Sequence, residues 1–208
     1  ASSGSPDSPV RDAASLAAGE GFTCALRTNG AVACWGLNGS GQLGDGSRQK
    51  QTGAVDVLEN ATSVVAGSSH ACALLRTGDV SCWGANALGQ LGSGDLVDRP
   101  RPKPVLGVTK ALQISAGGAT TCALLRGGLV KCWGYACGQA GAYSGQQRWP
   151  IECWAADKRS GSSRGVVATP VVVRGLSEVT EVAVAGAHVC AVVAGGGVRC
   201  WGANRDGQ

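Results

Sequence analysis

The apolar positions of this chain fall into short runs of β-branched and small residues, each closed off by glycine or a polar turn. One such stretch, Cys72-Ala-Leu-Leu-Arg-Thr-Gly-Asp-Val-Ser-Cys82-Trp83-Gly84, occurs in four versions. The others run from Cys24 to Trp35-Gly36, from Cys122 to Trp133-Gly134 and from Cys190 to Trp201-Gly202. In every version the two cysteines stand ten positions apart and flank a turn triplet ending in glycine: Thr28-Asn29-Gly30, Arg76-Thr77-Gly78, Arg126-Gly127-Gly128 and Ala194-Gly195-Gly196. The pattern predicts four β-hairpins.

The turns also predict the register. A three-residue loop built on a type I turn needs a left-handed third residue, a conformation glycine adopts without a Cβ penalty. With Gly30 closing the loop, Arg27 faces Ala31, Leu26 faces Val32, Ala25 faces Ala33 and Cys24 faces Cys34. Alternation from a hydrogen-bonded pair at the loop makes the cysteines a non-hydrogen-bonded pair, the kind whose Cα atoms lie close enough for a disulfide. A two-residue Asn29-Gly30 turn would shift the register by one and part the sulfurs. Four intra-hairpin bridges follow: Cys24–Cys34, Cys72–Cys82, Cys122–Cys132 and Cys190–Cys200, each contributing roughly 2.5–3 kcal/mol through loop closure. Neither Cys-x-x-Cys knuckles nor histidines at ligand spacing support zinc instead.

Two further runs recur ahead of each hairpin. One is a Pro-Val lead-in, as in Pro170-Val-Val-Val-Arg-Gly-Leu176, and one a run spaced Val-x-x-Val that ends in Ala-Gly, as in Val179-Thr-Glu-Val-Ala-Val-Ala-Gly186. The first cysteines are separated by 48, 50 and 68 residues. Four antiparallel strands per unit of about fifty residues is the signature of a propeller blade. The organisation read from the sequence is a flexible leader over 1–13, small, polar and turn-rich like a linker left by a processed export signal, then propeller repeats over 14–208. The repeats run over about 14–53, 54–103, 104–169 with an insertion at 135–164, and 170–208, the last incomplete.

Gly67-Ser-Ser-His70-Ala-Cys72-Ala-Leu-Leu, the Trp-Gly-x-Asn-x-x-Gly-Gln-Leu-Gly loop and the Pro-Val lead-in together resemble the regulator-of-chromosome-condensation repeat family, in the cysteine-containing form seen in exported bacterial proteins. The resemblance covers roughly residues 14–208. It implies an all-β fold, a β-propeller typically of seven blades, of which four repeats are present here. It also implies a rigid disc whose loop faces grip another macromolecule, since the family includes an exchange factor for a nuclear GTPase and an exported inhibitor of β-lactamases. Four blades would leave two exposed edges, which invite pairing with another chain. The expectation is that the chain belongs to a longer polypeptide; the alternative is an oligomer or filament completed through its edges.

Composition narrows the function. Ten cysteines point to an oxidising compartment, hence a secreted or surface-attached protein, free or lipid-anchored. No apolar run approaches the ~20 residues of a membrane helix. The formal charge of +4 is too weak and dispersed for a nucleic-acid binder. No nucleophile–base pair, phosphate-cradling loop or metal cluster stands out from the repeat, so no catalytic residue, cofactor or metal is expected. His70 and His188 occupy a slot that holds Phe22 and Thr120 in the other repeats, which reads as packing. Trp35, Trp83, Trp133 and Trp201 read as fillers between adjacent blades, and Asn38, Asn86 and Asn204 as loop elements. Asn38-Gly-Ser40 and Asn60-Ala-Thr62 match the N-glycosylation pattern.

The insertion in the third repeat breaks the pattern. It carries Cys137 and Cys153, the one pair off the hairpin scheme and expected to bridge, together with Tyr143, Arg148, Trp149, Trp154, Lys158 and Arg159. A stapled loop of aromatic and basic residues has the composition of an interaction hot spot. The function expected is a non-catalytic scaffold that binds a protein partner through its loop face and this insertion. The alternatives are a structural subunit of an extracellular assembly and a glycan-binding adhesin using Trp149, Trp154 and Tyr143.

Overall fold

In the computed structural model, residues 10–135, 165–186 and 188–202 are described, and they form four antiparallel sheets. The first sheet holds β1 (Ala13–Ala18), β2 (Phe22–Arg27), β3 (Val32–Gly36) and β4 (Gln51–Leu58). The second holds β5 (Ala61–Ala66), β6 (His70–Leu75), β7 (Val80–Gly84) and β8 (Arg99–Pro104). The third holds β9 (Ala111–Gly117), β10 (Thr120–Leu125), β11 (Leu129–Tyr135) and β12 (Val166–Val172). Among the described residues the fourth holds three strands, β13 (Val179–Val184), β14 (His188–Val193) and β15 (Val198–Gly202). In each sheet the strands lie in sequence order, as in a propeller blade.

The hairpin register is the one dictated by the turn. Arg27 N donates to Ala31 O at 2.8 Å, Gly30 N closes onto Arg27 O at 2.9 Å, and Gly30 sits at φ +88°. Leu26 then faces Val32, Ala25 faces Ala33 and Cys24 faces Cys34. The same count places Cys72 opposite Cys82, Cys122 opposite Cys132 and Cys190 opposite Cys200. All four pairs are bridged, with Cα–Cα distances of 4.1, 4.1, 4.1 and 4.0 Å. Cys137 and Cys153 lie outside the described residues.

The strands β1, β5, β9 and β13 pack side by side, which gathers one edge of every sheet around a common axis and sends β4, β8 and β12 to the rim. The rim strand β8 reads Arg-Pro-Arg-Pro-Lys-Pro; proline removes the N–H donors that a strand edge would offer to another chain. The boundaries of the repeats near residues 53, 103 and 169 fall inside the rim strands. The lead-in segment pairs backward on the preceding hairpin, so each sheet runs one strand out of phase with the repeat as counted from the sequence.

The core is divided into three seams between neighbouring sheets. In the first, Cys24, Leu26, Val32, Cys34 and Leu43 meet Ala61, Val64, Ala71, Ala73 and Trp83 of the second sheet. The second repeats this with Cys72, Leu74, Val80, Cys82 and Leu91 against Ala111, Ile114, Ala123 and Trp133. The third sets Cys122, Leu124, Val130 and Cys132 against Val179, Val182, Val189, Ala191 and Trp201. Every sheet therefore has a cystine face and a tryptophan face. Small residues on the tryptophan face let the sheets approach closely, and burial of the indole and the cystine supplies the apolar area that holds them.

Candidate functional site

Residues 37–50, 85–98 and 136–165 connect the third strand of a sheet to its rim strand, so these connections emerge at the same end of successive sheets. In the first, the buried Asn38 directs Nδ2 toward Asp45 Oδ1 (3.2 Å), Ser47 Oγ (3.1 Å), Ser47 O (3.2 Å) and Gln49 O (3.1 Å), while its Oδ1 accepts from Leu43 N at 3.0 Å. Asn86 repeats the arrangement with Ser93 Oγ (3.1 Å), Asp95 O (2.9 Å) and Leu91 N (3.0 Å). Gln42 and Gln90 brace the same turns by accepting from Ser40 N and Leu88 N. The recurring asparagine is thus the hub of its loop. It also drives Leu43 and Leu91 into the seams, where both are fully buried.

The carboxylates belong to this framework. Partial burial works to raise the carboxyl of Asp45, but hydrogen bonds from Ser47 N, Ser47 Oγ, Asn38 and Gln51 outweigh it and hold it below the usual carboxylate range. Asp95 is held low by the Ser93 hydroxyl first, with Val97 N and the Arg99 guanidinium adding to it. Asp45 is therefore a loop brace. The two loops are joined to each other. Arg48 Nη1 reaches Asp98 Oδ2 at 3.3 Å and Gly39 O at 3.0 Å, and Asp98 Oδ1 accepts from Asn86 N at 2.8 Å. Sequence reasoning missed this tie, because its residues sit at no repeating position. Around it Leu37, Leu88, Leu96 and Val97 are exposed on loops whose backbones are locked from beneath.

The histidine slot is internal. Phe22, His70 and Thr120 are buried in equivalent positions, and His188 is half-buried. His70 Nε2 lies 2.8 Å from Thr121 Oγ1 across the second seam, and the Thr121 hydroxyl donates to Gln90 O at 3.2 Å. That hydroxyl has one hydrogen, so Nε2 is the protonated nitrogen and Nδ1 is left buried with no partner. Burial pushes the imidazole down to about 4 from 6.5. His70 is therefore neutral at physiological pH and sealed from solutes.

The tryptophans divide by position. Trp83 and Trp133 are fully buried and Trp201 nearly so, whereas Trp35 is half-buried. Trp83 Nε1 donates to Gln42 O at 3.0 Å, and the ring lies so close over Gly44 (φ +74°) that a Cβ there would come within 2.9 Å of it. In the third sheet Thr121 takes the matching acceptor, Gln90 O, and Trp133 Nε1 has no hydrogen-bond partner. Of the two glycosylation patterns, the Asn38 side chain is enclosed by its loop, whereas Asn60 is exposed in a left-handed turn at φ +62°.

Tyr143, Arg148, Trp149, Trp154, Lys158 and Arg159 lie outside the described residues. The connection that carries them leaves β11 and returns as β12, the place in the third sheet that the asparagine-centred loops take in the first two. Among the described residues no helix is long and apolar enough to cross a membrane.

Comparison with known proteins agrees with this geometry. The Regulator of chromosome condensation (RCC1) repeat matches residues 13–42, 61–90, 112–139 and 179–208, and a second description of the same repeat matches 29–74 and 77–124. No curated protein matches the sequence. Among solved structures, Prp20p from Saccharomyces cerevisiae is similar with a TM-score of 0.74 at 21% identity, over 95% of this chain and 47% of that one. Yeast RCC1 (Prp20) bound to Kap60 gives 0.72 at 20%, over 94% and 45%. Human WBSCR16 gives 0.73 at 20%, over 91% and 46%. The chain thus spans less than half the length of these structural neighbours, and the likeness at this identity is one of fold. With repeat matches over more than half of its residues, a blade built on each and these propellers as structural neighbours, the chain belongs to the RCC1 repeat family.

Proposed function

We propose that this protein is a non-catalytic, exported propeller scaffold that binds a protein partner through its loop face and the insertion over 135–164. The observation that carries the reading is the construction of the connections between third and rim strands. Asn38, Asn86 and the Arg48–Asp98 tie fix their backbones from beneath, while Leu37, Leu88, Leu96 and Val97 point outward. Rigid loops that display apolar side chains lose little entropy on docking, which favours a macromolecular ligand. The connection from β11 to β12 carries Tyr143, Arg148, Trp149, Trp154, Lys158 and Arg159, a set rich in the tryptophan, tyrosine and arginine that dominate interface energetics. RCC1-type propellers are seen with protein partners: yeast RCC1 with Kap60, and Prp20p with Gsp1p and histones. The hairpin disulfides favour an extracellular setting over a nuclear one.

The test is affinity capture from the source organism's extracellular fraction. It compares the wild type with a Trp149→Ala, Trp154→Ala variant and a Leu96→Asp, Val97→Asp variant, each with its disulfides intact. A partner retained by the wild type and lost by either variant supports the loop face. Capture unchanged by both variants would overturn it, and a glycan-array signal with no protein partner would assign the face to carbohydrate.

A further inference from the structure

The rim strand β8 carries a charge pattern that the other rim strands lack. It reads Arg99-Pro100-Arg101-Pro102-Lys103-Pro104, whereas β4 and β12 contain no lysine or arginine. A repeat that folds in two other copies without those cations does not need them for its architecture. Nor does the sheet edge need them, because the prolines already withhold N–H donors there. β8 is the outermost strand of the second sheet, which has a neighbouring sheet on each face.

The carboxylates around this strand are already committed. Asp95 is paired with Arg99, Asp98 is paired with Arg48 at 3.3 Å, and Asp45 accepts from Asn38, Ser47 and Gln51. Arg101, Lys103 and Lys50 are exposed and form no ion pair among the described residues. Arg101 is nevertheless held in place. Its guanidinium lies against Gly46 (φ +89°) so closely that a Cβ there would collide with it, and Gly46 N donates to Pro100 O at 2.7 Å. Lys50 ends the same loop just ahead of β4, and the rim strands β4 and β8 touch.

We infer that this rim binds an acidic polysaccharide, a linear polymer carrying a carboxylate or sulfate on successive sugars. Alternate residues of a strand recur every ~6.6 Å, so Arg101 and Lys103 are set out along a line, with Lys50 on the neighbouring rim. A row of cations matches a row of anions better than it matches one small ion. The Arg101 fork donates two parallel hydrogen bonds to a single carboxylate or sulfate. The prolines fix φ and stiffen the strand, so little backbone freedom is lost on binding. A nucleic acid is a poorer match, since β8 has no aromatic side chain on which a base could stack. A peptide could not extend the sheet past prolines that offer no N–H. The hairpin disulfides favour an extracellular setting, where acidic polysaccharides are displayed. This binding does not depend on a protein partner at the loop face.

The experiment is titration of the full chain with alginate, a polymer of carboxylates, and with heparin, whose acids are mainly sulfates, beside neutral dextran. The expected result is binding to at least one acidic polymer, weakening as salt is raised, and none to dextran. The tighter of the two shows which acid is recognised. Arg101→Gln with Lys103→Gln is expected to weaken binding about tenfold, as two exposed charge pairs are lost. Arg76→Gln with Arg126→Gln removes the same charge from exposed hairpin turns and is expected to leave binding unchanged. Near-UV circular dichroism and the hairpin bridges verify that each variant folds. If Arg101→Gln unseats the loop at Gly46, Lys50→Gln with Lys103→Gln makes the same test without touching it. Failure to bind either polymer overturns the inference. So do equal losses in the rim and turn variants, which would mean attraction by net charge alone. Single-stranded DNA or anionic-lipid vesicles held more tightly than either polymer through Arg101 and Lys103 would overturn it as well.

Discussion

The residue with the clearest solution signature is His70. In the unfolded chain its imidazole titrates near 6.5, whereas in the fold burial holds it at about 4. Protonation in the native state would place an N–H on Nδ1, which has no acceptor. Between the two values the unfolded chain binds the extra proton, so stability is full above pH 6.5 and falls as the pH drops toward 4. The loss amounts to roughly 3 kcal/mol over that window. Asp45 and Asp95 are held low, so their contribution is lost only below the ordinary carboxylate range, in a separate and more acidic window. His70→Phe installs the residue of the matching slot in the first sheet, Phe22. It is expected to flatten the Tm profile between pH 6.5 and 4, leaving the steeper decline at lower pH unchanged. A variant whose profile tracks the wild type through that window would show that His70 is not the acid-sensitive group.

At the scale of the element, the hairpins are over-determined by sequence. The turn glycine, the ten-residue spacing of the cysteines and the trailing Trp-Gly each specify the same register, and a slip of one residue would part all four cystines. That is why Cys24 opposite Cys34 could be placed residue by residue. The phase of the sheets could not. The rim strand is separated from both its neighbours by a turn or loop, and its apolar spacing does not say which one it joins. Val55 finds Cys34 across the loop that Asn38 folds, a pairing settled by the hydrogen bonds of that loop. The Arg48–Asp98 tie was illegible for a related reason, since it couples two repeats through residues that do not repeat. Asn38, by contrast, was recognisable as a loop element because it recurs as Asn86, although its role as hub needed the distances. Among the four hairpin bridges the consequence is an order of reduction. Cys24–Cys34, Cys72–Cys82 and Cys122–Cys132 are inside the seams, whereas Cys200 is exposed. Thiol–disulfide exchange needs a thiolate to reach sulfur. Brief treatment with a soluble thiol followed by alkylation and peptide mass analysis is expected to label Cys190 and Cys200 well before the other six. Equal labelling of all four bridges would mean that reduction proceeds through global unfolding.

The described residues form a row of similar sheets, each stabilised by its neighbours: among these residues the second and third sheets are covered on both faces and the first and fourth on one. In such an array, stability is a sum of unit and seam terms, and opening starts at the ends. Backbone hydrogen bonds also link the sheets near the axis: Glu20 N donates to Ser68 O at 2.9 Å and Ser68 N to Gly118 O at 2.8 Å, so the turns beside β1, β5 and β9 are tied in series. The fourth sheet is attached there by side chains, with Gln113 Oε1 and Ser115 Oγ accepting from Val182 N and Val184 N, both at 2.9 Å. Hydrogen exchange in dilute solution is therefore expected to be fastest in β14 and β15, slower in β1, and slowest in β6 and β10. Protection that is uniform along the chain would mean that the sheets unfold as one cooperative body.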